Sequence, residues 1–128
     1  MLFAQALLML NGLILAGYGA ACLVSPALPA AYMGVELGSA GGPVEFMAMY
    51  GGLQLAAGLY FMRCGIASSR VLEGIRLMAV LFAGLGLARL AGLLRIGVDD
   101  YNLDAVIYEL GSMTLAIIAL RLLTSRAA

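Results

Sequence analysis

The sequence predicts an all-α integral membrane protein: a bundle of four transmembrane helices with both termini cytoplasmic and a short interfacial segment between the first two helices. Three observations lead there. Of 128 residues, 64% are hydrophobic and only 11% charged, with a mean hydropathy of +1.06. Soluble domains are typically about half apolar and a quarter charged, so a separate soluble domain has no room here. Four runs reach the roughly 20 mostly apolar residues that a helical span needs. These runs lack the alternation of barrel strands, and lipid admits only helices or closed barrels.

The elements follow in order, and together they make residues 1–128 a single transmembrane domain. The first span covers about 2–24 and stops at Ser25-Pro26. The next stretch, "SPALPAAYMGVELGSAGG", is too polar to span and too apolar for a plain linker, so an interfacial helix is expected around Ala30 to Leu37, then a Gly-rich turn. The second span covers about 44–62 and is closed by Arg63 and Gly65. A short basic loop, 63–74, leads to the third span at about 75–94, and a short acidic loop, "IGVDDYNL", leads to the fourth at about 104–123, with Asp104 available as its N-cap. The start of the chain is a poor signal peptide, because its n-region has no positive side chain and its apolar run is too long. "GAAC" before Cys22 is likewise a poor lipidation motif.

Charge sets the orientation. One side of the membrane receives Arg63, Arg70, Arg76, Arg121 and Arg126, while the other receives Arg95 beside Asp99, Asp100, Asp104 and Glu36. The positive-inside rule then makes both termini cytoplasmic. Seven basic and seven acidic residues balance, so net charge implies no nucleic-acid partner; the partners expected are the lipid bilayer and a lipophilic small molecule. Histidine, lysine and tryptophan are absent, which removes His-based zinc sites, His general bases and Schiff-base lysines. No metal site and no catalytic residue are assigned. Cys22 and Cys64 fall near opposite faces, roughly 30 Å apart. A disulfide needs Cα atoms within about 7 Å, so both read as small apolar residues.

The functional signal is a set of polar groups at one depth. Glu45 lies in the first turn of the second span. Glu109 is about 7 Å below the outer end of the fourth, and Arg89 about 20 Å up from the inner end of the third. All three reach the outer third of the bilayer, with Tyr18 at a similar level. An unpaired charge at the bilayer centre costs at least about 2.5–3.5 kcal/mol, so Arg89 is expected between the two carboxylates. Deeper down, Asn11 and Gln54 fall near the midplane, where interhelical hydrogen bonds are expected. Small-residue seams at Gly12/Ala16/Ala20, Ala48/Gly52/Ala56 and Gly84/Ala88/Gly92 are expected to bring backbones together. One feature conflicts: at about 100° per residue Gln54, with Tyr50 beside it, points nearly opposite Glu45. Either the second span bends near Gly51-Gly52, or one face packs on another subunit of a homo-oligomer. Tyr32, Tyr60, Tyr101 and Tyr108 read as interface-belt aromatics, and the methionines as core filling.

"EFMAMYGG" with "LAAGL", "GLGLARLAGLL" and the glutamate early in the fourth span resemble the DoxX-like group of small bacterial membrane proteins. That resemblance runs through most of the chain from Glu45 onward. It implies a four-helix bundle in a bacterial-type inner membrane, and its polar motif positions are Glu45, Tyr50, Gly51, Gly52, Arg89 and Glu109. Some relatives are linked to quinone-coupled oxidoreductase complexes, but no catalytic role carries over. The function expected is the binding of a lipophilic or amphipathic molecule, a quinone or a lipid, in an outer-half cavity with the Glu/Arg/Glu cluster at its polar end. No resident cofactor is otherwise predicted. Rival expectations are a proton-coupled transporter switching on Glu109 or Glu45, a lipid-modifying enzyme with one of them as general acid, and a structural subunit stapled by the ion pair.

Overall fold

The computed structural model describes residues 1–125, and Arg126 lies outside the described residues. Its elements are helical throughout: α1 (Leu2–Val24), α2 (Ala27–Tyr32), α3 (Gly41–Phe46), a π-helical turn (Met47–Gly52), α4 (Leu53–Ile66), a 3₁₀ turn (Ser68–Arg70), α5 (Val71–Ile96) and α6 (Asp100–Thr124). Three segments, Leu2–Val24, Ser68–Ile96 and Asp100–Thr124, are long and apolar enough to cross a membrane. Their outer faces carry large apolar side chains such as Val80, 71% exposed, and Ile107, 63% exposed. Exposure on that scale, repeated along several helices, is consistent with a bundle that meets lipid.

The remaining long segment, second in chain order, is built differently. α3, the π turn and α4 follow one another without a break in right-handed helical backbone, in pieces of 6, 6 and 14 residues. A π turn bonds i to i+5 and rotates less per residue than an α-helix. Six such residues between Glu45 and Gln54 cancel much of the half-turn that a uniform α-helix would put between them. Glu45, Tyr50 and Gln54 consequently share one face, so the conflict in the sequence is resolved within the helix, and a second subunit is not needed to explain it.

Two helix pairs make the bundle. α1 packs along α4 and the π turn, and α5 along α6. The first pair is close because its seam is glycine. A Cβ on Gly12 would lie 2.8 Å from the Gly58 carbonyl oxygen, and one on Gly19 would lie 2.7 Å from that of Gly51. The seams expected elsewhere differ. Gly52 faces only its own helix, and Gly84 and Gly92 of α5 have nothing within 4 Å of an added Cβ. In α5 it is Gly74 and Gly86 that admit neighbours, with Cys64 2.5 Å from the would-be Cβ of the first and Leu110 2.7 Å from that of the second. Between the pairs, at one end, a fully buried core joins Leu8, Phe61, Ile75, Met78 and Phe82. Cys64 is in this core, Cys22 in a separate cluster with Ala30, Met33 and Phe46, and both are free thiols.

The connections are tighter than the sequence implied. The short helix between the first two long segments lies at Ala27–Tyr32, before the expected Ala30–Leu37, because Pro29 is tolerated in a first turn and Gly34 stops the helix with φ +69°. A second positive φ, +59° at Gly38, turns the chain back over the bundle. The basic loop is almost wholly helical, with Ala67 (φ −91°, ψ 103°) as its extended hinge. The Tyr60 hydroxyl donates to the Glu73 carboxylate across that hinge. The acidic loop shrinks to Gly97–Asp99, with Gly97 at φ +130°.

Asp104 is not the cap of the last helix. Capping needs a residue outside helical φ/ψ, and Asp104 sits inside α6. Asp99, at φ −130° and ψ 159°, caps instead, accepting from the Asn102 backbone N–H at 3.0 Å and from its side-chain amide at 2.8 Å. These donors hold the Asp99 carboxyl below its usual range. A carboxyl with a depressed folded-state pKa contributes stability above its unfolded value of about 3.9, and the contribution fades as pH falls through the folded value. Asp99→Ala is therefore expected to lower the thermal midpoint at pH 7, by a margin that is smaller at an acid pH below that unfolded value. Parallel melts at the two pH values check this; a margin unchanged by acid would mean that the carboxylate is not what caps α6.

Candidate functional site

Between the two helix pairs, at the end carrying the α5–α6 connection, lies a cavity of about 650 Å³. It forms where the glycine seams draw the pairs together internally and leave the space between them less filled. Its walls are apolar, from Leu15, Leu53, Ala57, Leu81, Phe82 and Leu85. Its polar groups are Tyr18 from α1, Glu36 from the loop after α2, Glu45, Tyr50 and Gln54 from the interrupted helix, and Arg89, Tyr101, Tyr108 and Glu109 from α5 and α6. The structure thus gathers Glu45, Arg89, Glu109 and Tyr18 around one cavity, with Tyr50 and Gln54 beside them.

The bonding among them is more selective than the expected triad. Arg89 grips Glu109 with both ends of its fork, Nε to Oε2 at 2.9 Å and Nη2 to Oε1 at 2.8 Å. The pair is well shielded, with the Glu109 side chain 7% exposed and that of Arg89 22%. The Arg89 Nη1 donates to the Asn102 side-chain oxygen, and the guanidinium lies 5.8 Å from the centre of the Tyr101 ring, within cation–π range. Glu45 is not part of this pair. It is exposed and makes no ion pair or side-chain hydrogen bond among the described residues. The fork, already closed on Glu109 and Asn102, has no face left for a second bidentate carboxylate.

Asn102 was missed by counting the last span from residue 104. It stands seven residues before Glu109, two helical turns away, so both project from one face of α6. Asp99, Asn102, Arg89 and Glu109 form one chain of bonds, from the cap of α6 to the interior.

The other polar residues divide. Asn11 bridges helices as expected: its Oδ1 accepts from the Tyr108 hydroxyl at 2.8 Å and from Ser112 at 3.1 Å, and its amide donates to the Leu7 carbonyl at 3.0 Å. It does not line the cavity. Gln54 lines it and makes no side-chain hydrogen bond among the described residues. Among the described residues the buried Tyr18 hydroxyl has Tyr101 as a neighbour but makes no well-formed hydrogen bond, an arrangement that costs free energy when nothing fills it. Tyr101 and Tyr108 are cavity residues rather than belt aromatics; Tyr108 packs edge-on against Phe82, and Tyr101 against Tyr32. Phe46 and Tyr50 stack at 4.8 Å and form an aromatic wall next to Glu45. Among the described residues no group of three or more His, Cys, Asp or Glu is gathered to hold a metal ion.

This combination of membrane-length helices around an apolar cavity with a polar end defines a helical membrane-type bundle. The chain belongs to the family described as Domain of unknown function (DUF4345), which it matches over residues 3–120. The match lends no support to the DoxX-like resemblance, which rests on short motifs. No curated protein and no solved structure matches the chain.

Proposed function

We propose that the protein is a four-span bundle of a bacterial-type inner membrane, with both termini cytoplasmic, that binds a lipophilic or amphipathic small molecule in the cavity between its helix pairs. α3, the π turn and α4 supply the second of the four spans, and the arginines flanking the Ala67 hinge mark the cytoplasmic end. The observation that carries the reading is the cavity itself: apolar walls, a few convergent polar groups and a buried tyrosine hydroxyl without a well-formed hydrogen bond. A quinone or a lipid has the matching division into apolar body and polar head. Arg89 and Glu109 fix the polar end by holding each other.

Transport is the second reading, and the π turn favours it. Helix interruptions at membrane depth recur where substrates and coupling ions bind, and Glu45 adjoins this one. The bilayer is the partner required in either case.

Mass spectrometry of the protein purified in mild detergent tests the binding reading. A defined small molecule is expected at one per chain, absent from an Ala57→Phe variant whose added ring fills the cavity. A folded, monodisperse and empty wild-type protein would overturn binding and leave the Arg89–Glu109 pair as a structural staple.

A further inference from the structure

Resting on that cavity reading, we propose that the occupant is a lipophilic cation, an alkylammonium-like molecule whose charged head is taken by Glu36 and Glu45. The cavity lining holds three carboxylates, Glu36, Glu45 and Glu109, against one guanidinium, Arg89. Arg89 is the group that an anionic or carbonyl ligand would need. Its Nε and Nη2 are committed to Glu109, its Nη1 to Asn102 and its face to Tyr101. With that pair neutralised, Glu36 and Glu45 are the charges that remain, and neither has an ion-pair partner among the described residues. An anion entering here would meet two negative charges and a spent arginine.

Three further features fit a cation. The stacked Phe46 and Tyr50 rings adjoin Glu45 and offer the negative faces on which ammonium groups rest. The Tyr18 hydroxyl, without a well-formed hydrogen bond of its own, offers a lone pair to an ammonium N–H. The same end of the bundle carries Asp99, Asp100 and Asp104, with Arg95 the one further basic residue there in the described chain. Such an acidic surround raises the local concentration of cations before they enter. The apolar walls then hold the tail.

Three probes with ten-carbon chains test the proposal: decylammonium, decanol and decanoate, titrated by native mass spectrometry from maltoside micelles. Decylammonium is expected to bind at one per chain, about tenfold more tightly than decanoate. A Glu36→Lys/Glu45→Lys variant is expected to reverse that order. Both positions are exposed and unbonded, so the variant should fold. Comparing variant with wild type cancels partition of the probes into the micelle. Equal binding of all three probes, or an order unchanged in the double variant, overturns the cation while leaving the cavity reading intact. Absence of any saturable one-to-one binding overturns both.

Discussion

Arg89→Leu is expected to destabilise the protein by about 3–5 kcal/mol, the cost of leaving a buried carboxylate without its partner. The Glu109 side chain is 7% exposed and takes both of its strong hydrogen bonds from Arg89. Nothing in α6 replaces them, because Asn102 is turned toward Asp99 and Arg89. The loss should read as a lower midpoint of thermal unfolding and less monodisperse protein after extraction. The double variant Arg89→Leu/Glu109→Leu should recover most of it, since buried ion pairs are commonly replaced by apolar groups at little cost. If the single variant melts like the wild type, the pair does not hold α5 to α6. If the double is as damaged as the single, the contribution of Arg89 is packing and its contact with Tyr101, not charge.

The second large effect is expected at Gly58. A Cβ there would sit 2.6 Å from the Gly12 carbonyl oxygen and would also press on the Ala16 backbone. Backbone atoms cannot step aside as a side-chain tip can, so α1 and α4 must separate. Gly58→Ala is expected to cost about 1–3 kcal/mol. At Gly84, in α5, nothing lies within 4 Å of the added methyl. There Gly→Ala is expected to stabilise by about 0.5–1 kcal/mol, the ordinary helix-propensity gain. One chemical change with opposite signs at two helix interiors is a sharp comparison. Melting both variants side by side decides it; a stabilising Gly58→Ala would mean the α1–α4 seam is looser than described.

The contrast between these glycines shows what the sequence could and could not reveal. Membrane-length helices were legible because a run of apolar residues long enough to cross lipid has few other uses. The Arg89–Glu109 pair was legible because two opposite charges placed at one depth in lipid must find each other. Which small-residue stripe is a seam was not, because Gly12/Ala16/Ala20 and Gly84/Ala88/Gly92 have the same spacing and only the partner helix distinguishes them. The place of Glu36 in the cavity lining depends on a chain reversal through Gly34 and Gly38, which no helical period encodes. Asn102 was lost to a boundary set four residues late. Glu45 lines the same cavity as Arg89 but does not pair with it, because depth says which groups are near and not which way an arginine fork closes.

The π turn has a consequence for how this chain can change over generations. A six-residue turn of this kind holds about one residue more than the α-helix would need to cover the same height. Deleting one residue between Met47 and Gly52 would leave a straight, better-bonded helix that still fits its neighbours in length. It would also leave the faces where they are: eight α-helical residues at about 100° each put Gln54 about 80° from Glu45, much as nine residues do with the π turn between them, so Glu45 and Phe46 stay on the cavity side. The segment is therefore a stored insertion: one residue taken up without turning the helix on either side of it. A relative one residue shorter here would keep both the fold and the acidic mouth, and would differ in lacking the interruption.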